Sequence, residues 1–209
     1  MKTIIIDYGS GNIESVFNAL SAVKENQEIV ISKNPAEIKS GNRFILPGVG
    51  AFADCMDCLK SVNGLIEEIR KQVLTEKKPF LGICVGMQVL ASVGHEDGEH
   101  QGLCFINGKV EKITATDNLK VPHMGWNDLI IKPNKHPVLK NINSGDHFYF
   151  ANSYHFQCQN ENNELAHAEY GSKLCAIVSK ENIFGVQFHP EKSGEVGLKI
   201  LKNFLNWRP

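Results

Sequence analysis

Short apolar runs alternate with amphipathic helical patterns through the first half of the chain. Apolar runs predict strands, and apolar positions three or four apart, as at Val16, Leu20 and Val23, predict a helix. The predicted strands are 3–6, 28–32, 43–46 and 79–83, and the predicted helices are 13–24, 52–74 (interrupted near 63–64) and 86–93. Strands that alternate with helices indicate βαβ units and a parallel sheet.

The second half of the chain consists mainly of short predicted strands. These are 108–113, 128–131, 148–156, 164–169, 175–179 and 183–188, with a hairpin turn at 180–182, and a final amphipathic helix at 196–207. We therefore expect one α/β domain over residues 1–209. It should contain a doubly wound sheet with an antiparallel extension, and active sites in such sheets lie at the carboxyl ends of the strands.

Composition narrows the range of functions. The chain has 209 residues with 22 basic and 23 acidic side chains, so its formal net charge is −1, and 42% of its residues are hydrophobic. This balance argues against a nucleic-acid binder or a polybasic membrane-surface protein. No apolar run approaches the roughly 18 residues of a membrane span, and the N-terminal run at 4–6 is too short for a secretory signal. A cytoplasmic location is the expectation.

Six cysteines are scattered along the chain without the spacing of a secreted disulfide framework, so we expect thiols. They are Cys55, Cys58, Cys84, Cys104, Cys158 and Cys175. Cys55 and Cys58 form a single C-x-x-C, which allows zinc or redox chemistry. No second C-x-x-C completes a four-ligand site, so a pair of packing residues on a helix is the favoured interpretation.

Cys84 lies in the sequence Gly82-Ile83-Cys84-Val85-Gly86, at the predicted junction of a strand and a helix. This is the thiol counterpart of the G-x-S-x-G nucleophile elbow. Glycines on either side leave room for a tight turn that projects the thiol above the sheet. The amides of the following helix should favour the thiolate, and the N–H of Val85 should lie where an oxyanion forms.

A base and its orienting acceptor follow 105 residues later in the sequence Phe188-His189-Pro190-Glu191. A thiol nucleophile needs a base within hydrogen-bond reach, and the base needs an acceptor that fixes its tautomer. His189 and Glu191 supply these two groups. The glycine-rich segment with Gly48 and Gly50 follows a strand and is free to present backbone N–H groups to a substrate.

Two other motifs are weaker. The string from His95 to His100 suggests a metal site, but such a string after a helix is more typical of a solvated loop. Gly9-Ser10-Gly11 resembles a dinucleotide loop, but Glu14 stands where the third glycine is required.

Trp126, flanked by Met124, is either an exposed interface anchor or a tucked-in loop residue.

Together these motifs resemble the class I glutamine amidotransferases, which use a Cys-His-Glu triad, and the resemblance runs along the whole chain. Within that family the chain is most similar to glutaminase subunits that deliver ammonia to a separate cyclase subunit. The segments that carry the closer resemblance are 7–12, 47–50, 82–88, 122–127, 148–154 and 188–193. The fold implied is the flavodoxin-like amidotransferase fold with helices on both faces of the sheet.

The resemblance also implies roles for individual residues. Cys84 would be the nucleophile, His189 the general base and acid, and Glu191 its partner. The residues that would bind glutamine or its oxyanion are Gly48, Gly50, Val85, Gln88, Ser153 and Tyr154. The residues that would face a (β/α)8-barrel cyclase subunit, which receives the ammonia through an internal tunnel, are Asn12, Trp126 and Lys192. No cofactor and no metal are implied.

Other functions remain open at this point. A paralogous amidotransferase subunit would supply ammonia for amidino-sugars of surface polysaccharides. A cysteine peptidase of similar fold would need an open cleft for a chain, and a non-catalytic regulatory module would have lost part of the triad.

Overall fold

The computed structural model describes residues 1–9, 11–114, 119–133 and 136–209. Ser10 of the N-terminal glycine-rich motif lies outside the described residues. The helices are α1 (Ile13–Val23), α2 (Pro35–Ser40), α3 (Phe52–Ser61), α4 (Leu65–Arg70), α5 (Val85–Gln88) and α6 (Gly194–Asn206). The first seven strands are β1 (Lys2–Ile6), β2 (Glu28–Ser32), β3 (Arg43–Gly48), β4 (Phe80–Cys84), β5 (Val93–Gly94), β6 (His100–Gln101) and β7 (Gly108–Lys112). The remaining strands are β8 (His123–Asp128), β9 (Ile130–Ile131), β10 (His147–Asn152), β11 (Tyr154–Cys158), β12 (Glu164–Glu169), β13 (Lys173–Lys180) and β14 (Ile183–Val186).

The main sheet has eight strands in the order β2-β1-β3-β4-β14-β13-β12-β9. Strands β1 to β4 pair in parallel, and β14 joins β4 in parallel. The pairs from β14 to β9 are antiparallel. This confirms the predicted α/β architecture with a parallel sheet and an antiparallel extension. The carboxyl ends of β1, β3, β4 and β14 therefore meet at one edge.

Two smaller sheets lie outside the main one. One pairs β10 with β8, and the other has the order β11-β7-β5-β6. The prediction of a single strand at 148–156 is wrong, because the chain leaves one sheet after Asn152 and enters another at Tyr154. Ser153, which lies between them, is thereby placed at a bend rather than within a strand.

Several helix boundaries also differ from the predictions. The segment 52–74 is divided into α3, α4 and a π-helical stretch at Lys71–Thr75. The helix predicted at 86–93 ends at Gln88. Helix α2 was not predicted, although Asn34 caps it by accepting a hydrogen bond from the N–H of Ala36 at 3.0 Å.

The core forms around the central strands of the main sheet, whose residues are apolar on both faces of the sheet. Strands β3 and β4 are buried along their whole length, which fits central strands covered by helices on both sides. The final helix α6 buries Ile200, Leu201, Phe204 and Leu205 against this core, as its spacing predicts. Among the described residues, no helix is both long and apolar enough to cross a membrane.

Candidate active site

The candidate site lies at the shared carboxyl edge of the parallel strands. Cys84 is the last residue of β4, and Gly48, the last residue of β3, is its partner in the strand register. His189 is the third residue after the end of β14 and directly precedes a short 3₁₀ turn at Pro190–Lys192. The topology thus brings together groups that are 105 residues apart in the chain.

Cys84 occupies an unusual backbone conformation. Its φ is +55° and its ψ is −115°, a region that side-chain-bearing residues rarely adopt, and the residue is only 4% exposed. The close approach of β3 to the turn leaves no space for a side chain at Gly86, since a Cβ there would meet the carbonyl of Leu46. This supports the predicted nucleophile elbow in physical terms.

Helix α5, which follows Cys84, is shorter than predicted. It spans four residues, Val85–Gln88, so the contribution of a helix dipole to the thiolate is smaller than the sequence suggested.

His189 connects Cys84 with Glu191. Its Nδ1 lies 2.9 Å from Oε1 of Glu191, and the His189 side chain is 4% exposed while that of Glu191 is 1% exposed. Burial lowers the pKa of His189, but hydrogen bonds and charge interactions with Cys84 and Glu191 outweigh burial and raise it to about 9. An imidazole in this setting favours the imidazolium form opposite a thiolate.

Asn12 lies beside the triad. Its Nδ2 donates a hydrogen bond of 3.2 Å to Oε1 of Glu191, the same oxygen that faces His189. The other oxygen of Glu191, Oε2, is buried and has no hydrogen-bond partner among the described residues. Asn12, which the resemblance assigns to the partner interface, thus also positions the carboxylate.

A cavity of about 360 Å³ opens beside the thiol. It contains seven of the predicted site residues besides Cys84 itself. They are Gly50, Val85, Gln88, Ser153, Tyr154, His189 and Lys192. Gly48, Asn12, Glu191 and Trp126 do not line it: Gly48 lies beneath, where an added Cβ would meet the N–H of Gly86, and the other three lie behind or outside the cavity.

One backbone carbonyl accepts hydrogen bonds from two side chains in the wall of the cavity. The Nε2 of Gln88 donates to the carbonyl of Tyr154 at 3.0 Å, and the Nδ2 of Asn152 donates to the same carbonyl at 3.0 Å. Gln88 is 3% exposed, and the hydrogen bonds that its Nε2 donates hold its amide in one orientation. The bend at Ser153 therefore brings one carbonyl oxygen to two side-chain amides of the pocket.

Glu96 is a cavity residue that the sequence analysis missed. Its Oε2 accepts a hydrogen bond of 2.7 Å from the N–H of Phe52, the first residue of α3. The same side chain lines the cavity, so the segment 95–100 is not simply a solvated loop. A carboxylate capping a helix in a neighbouring element leaves no signal in local sequence spacing.

Metal binding finds no support among the described residues, where no group of three or more His, Cys, Asp or Glu side chains is arranged to hold an ion. His95 instead lies 3.0 Å from Glu111 and 3.8 Å from Glu99.

Cys55 is buried in α3, and burial raises the pKa of its thiol to about 12, which fits the packing interpretation of the C-x-x-C.

An exposed apolar surface lies near the mouth of the cavity. Met124 is 64% exposed and Trp126 is 58% exposed, both on strand β8 rather than in a loop as predicted. The ring of Trp126 packs edge-on against Tyr149, and the ammonium of Lys192 lies 5.9 Å from the centre of the same Tyr149 ring. We refer to Met124, Trp126, Tyr149 and Lys192 as the aromatic face.

This fold and this arrangement of thiol, imidazole and carboxylate define a class of protein. Residues 4–207 match a family model described as glutamine amidotransferase class-I, and the chain belongs to this family. It is 45% identical over 214 residues to the imidazole glycerol phosphate synthase subunit HisH of Rhodospirillum rubrum, with 100% of each chain covered. It is 48% identical over 209 residues to the subunit HisH of Zymomonas mobilis, covering 98% of this chain and 95% of that one. These relatives place the chain in the HisH branch of the family.

Solved structures agree on the fold. The crystal structure of a glutamine amidotransferase superposes with a TM-score of 0.74 at 19% identity, covering 98% of this chain and 97% of that one. The structure of PurLQS from Thermotoga maritima gives a TM-score of 0.73 at 20% identity with the same coverage. At these identities the likeness concerns the fold alone.

Proposed function

We propose that this chain is the glutaminase subunit of an imidazole glycerol phosphate synthase and acts in histidine biosynthesis as one amidotransferase domain over residues 1–209. The observation that carries this proposal is the contact of His189 with both Cys84 and Glu191 beside a cavity of about 360 Å³. The full-length relatives favour this pathway over the polysaccharide branch and over a peptidase. A cytoplasmic location fits a subunit of a biosynthetic enzyme.

The proposed chemistry begins with attack on glutamine. The Cys84 thiolate adds to the carboxamide carbon, and the negative charge moves to the carboxamide oxygen. The N–H of Val85 and an amide of the segment 48–50 donate hydrogen bonds to that oxygen; one such donor typically contributes about 10²–10³ in rate. Gly50, with a φ of +87°, allows the peptide plane of this segment to turn.

Ammonia leaves in the second step. His189, held as imidazolium by its raised pKa, gives its proton to the departing nitrogen, and a γ-glutamyl thioester remains on Cys84. The neutral imidazole then takes a proton from water, which attacks the thioester carbon. Glutamate leaves and the thiolate–imidazolium pair is restored, so protons and charges balance over the cycle.

The cavity wall matches the groups of free glutamine. Gln88, Ser153 and Tyr154 supply hydrogen-bonding groups around the substrate, and the carboxylate of Glu96 complements its α-ammonium group. A free amino acid presents this ammonium, whereas an internal peptide residue does not. This gives a physical reason for preferring glutamine over a protein chain.

The ammonia acceptor is a cyclase subunit in this proposal. The aromatic face next to the cavity mouth has the composition of an interface anchor, with an exposed tryptophan, a methionine and a cation stacked on tyrosine. A partner of (β/α)8-barrel shape would cover this face, close the cavity from solvent and receive ammonia through an internal tunnel.

Replacement of the nucleophile tests the function. We expect Cys84→Ala to abolish glutamate release from glutamine when the chain is mixed with its cyclase subunit, since no other thiol lines the cavity. Cys104→Ala removes an exposed thiol remote from that cavity and should leave the rate unchanged. The glutamate released is measured enzymatically in the presence of the cyclase subunit. Full hydrolysis by Cys84→Ala would overturn the proposal.

A further inference from the structure

Gln187 is a buried amide that no motif in the sequence singled out as a site residue. It follows strand β14, is 1% exposed, and donates its backbone N–H to the carbonyl of Ala176 at 2.9 Å. Its side chain lies against the nucleophile, with Nε2 3.8 Å from the sulfur of Cys84. A buried amide at this position is costly unless both of its ends are paired.

The orientation of the Gln187 amide is set from the far side. Gln88 donates its Nε2 to the carbonyl of Tyr154 and to Oε1 of Gln187, each at 3.0 Å. A backbone carbonyl only accepts, so the Gln88 amide is fixed with its NH₂ group toward Tyr154 and Gln187. The Gln187 oxygen must then face Gln88, and its NH₂ group must face Cys84.

We propose that Gln187 is a further catalytic group, which donates an N–H to the Cys84 sulfur and stabilises the thiolate. This inference rests on the proposed function, because it assigns a role within the same reaction. A hydrogen bond to the charged form of a group favours that form. The oxygen of the Gln187 amide accepts a hydrogen bond from Gln88, and this bond polarises the N–H that the same amide directs at the sulfur.

The hydrogen bond acts at two points of the cycle, and no proton is transferred through it. Before attack it raises the fraction of Cys84 that is thiolate. During attack the sulfur gives its electron pair to the new C–S bond, and the interaction weakens. When water breaks the thioester, the pair returns to the sulfur and the Gln187 N–H stabilises the departing thiolate, which promotes the second step.

Other groups around the sulfur do not supply the same effect. His189, Tyr8 and Cys55 interact electrostatically with Cys84, and of these His189 is the group that becomes cationic. The remaining two, Tyr8 and Cys55, are buried, and burial raises the pKa of both, so they stay neutral near pH 7. Gln187 is thus a neutral donor acting beside the imidazolium.

The test compares the pH dependence of Cys84 alkylation in the full-length chain. Gln187→Met replaces the amide by an apolar group of similar length, and Gln187→Asn keeps the amide but withdraws it from the sulfur. Gln72→Met is the matched control, because Gln72 is also a buried glutamine, 3% exposed, paired with Glu68 at 2.6 Å and absent from the cavity lining. Iodoacetamide is the probe, and the Cys84 peptide is quantified by mass spectrometry.

We expect the wild type and Gln72→Met to share one alkylation profile. In Gln187→Met and Gln187→Asn the profile should move to higher pH, with an alkylation rate at pH 7 about tenfold lower, the size expected for one hydrogen bond to a charged group. With the cyclase subunit present, kcat for glutamine should fall about tenfold while KM changes less than about threefold. A merely structural role would not produce this separation.

The outcomes separate the two proposals. A Gln187→Met or Gln187→Asn profile that coincides with the wild type overturns the role of Gln187, whatever the glutaminase activity. Should Gln187→Met fail to fold by circular dichroism, Gln187→Asn decides alone, because it retains the polar group. A shifted profile in a chain that never hydrolyses glutamine would overturn the proposed function and leave the Gln187–Cys84 interaction standing.

Discussion

At the scale of single residues, Glu191 is a carboxylate that is held almost wholly inside the protein. One oxygen serves both His189 and Asn12, and the other has no partner among the described residues. Burying a carboxylate in this way is unfavourable for folding unless its partner is charged. The imidazolium form of His189 therefore stabilises the buried carboxylate, and this is also the form that donates a proton to the departing ammonia.

Neutralising that carboxylate is expected to impair catalysis far more than folding. Glu191→Gln should lower kcat for glutamine by about 10²–10⁴, because His189 loses the charge that holds its proton and its orientation. The control Glu195→Gln changes an exposed residue in the first turn of α6. Steady-state kinetics with the cyclase subunit measure both. A Glu191→Gln rate within twofold of the wild type would contradict the assigned role.

His123 predicts acid sensitivity of the fold. It stacks between the rings of Phe150 and Tyr170 and is 3% exposed, and burial lowers its pKa to about 4. The unfolded chain, with an ordinary pKa near 6.5, binds the proton between pH 6.5 and 4, whereas the folded chain does not. The free energy of unfolding should therefore fall as the pH falls through this window.

Urea unfolding at pH 7, 6, 5 and 4 measures this effect. His123→Gln keeps an acceptor for Asn127 and removes the titrating group, so its loss of stability between pH 7 and 4 should be smaller by on the order of 2 kcal/mol. His147→Gln alters an exposed histidine and should follow the wild-type curve. Equal slopes for His123→Gln and the wild type would refute the prediction.

The sequence predicts those site residues that belong to a recognisable short motif. Cys84 is marked by its two glycines, and His189 with Glu191 is marked by a two-residue spacing. Glu96 and Gln187 reach the site through contacts with distant elements, Phe52 in one case and Gln88 in the other. No local spacing encodes such contacts, so these two residues became visible only in three dimensions.

At the scale of elements, periodicity predicted the strands of the main sheet and failed where the chain changes partners. Strands β10 and β11 form one apolar run in the sequence, yet they belong to different sheets. Helix α5 ends at Gln88, and a turn at 89–92 leads into the short strand β5, although the sequence pattern predicts a helix to residue 93. Such breaks depend on tertiary pairing, which outweighs local propensity.

Arg43 shows how a helix end is secured in the core. The residue is 2% exposed, and its guanidinium donates to the carbonyls of Phe204 and Trp207 at the end of α6. It also lies over the ring of Phe204 at 5.7 Å. Burial lowers its pKa to about 10, so it remains charged at pH 7, and backbone carbonyls take the place of a carboxylate partner.

Two substitutions test this arrangement. Arg43→Lys keeps a buried charge but loses the planar fork of donors, so we expect it to lower the free energy of unfolding by about 3 kcal/mol. Arg43→Met removes the charge and leaves the carbonyls unpaired, with an expected loss of about 1–2 kcal/mol. Denaturant titration ranks the three proteins. Arg43→Met exceeding the wild type in stability would show that the desolvation cost of the guanidinium outweighs its hydrogen bonds.

At the scale of the whole molecule, the sheet topology assembles the site from four separate strand ends. The order β1-β3-β4-β14 places Asn12, Gly48, Cys84 and His189 along one edge. The antiparallel β10–β8 pair carries three residues of the aromatic face, and the turn after β14 adds Lys192. The alternation of strands and helices predicted this edge, whereas the position of β8 followed from no pattern in the sequence.

Trp126 should anchor the partner subunit on the aromatic face. Trp126→Ala is expected to weaken the complex with the cyclase subunit by about 10–100-fold, because an exposed tryptophan at an interface commonly contributes about 2 kcal/mol or more. Leu74→Ala is the control, since Leu74 is 37% exposed and lies before β4, at the opposite end of the sheet. Isothermal titration calorimetry measures both affinities, and unchanged binding by Trp126→Ala would contradict the assignment.

The backbone at Cys84 has a consequence for how this sequence is maintained. Only glycine adopts a φ of +55° with a ψ of −115° without a conformational penalty. A chain released from selection for hydrolysis would relieve this penalty by replacing Cys84 with glycine, which removes the whole side chain. The strained backbone at Cys84 therefore costs the protein some conformational stability. We expect the strain to be retained only while the organism depends on the nitrogen that this enzyme releases.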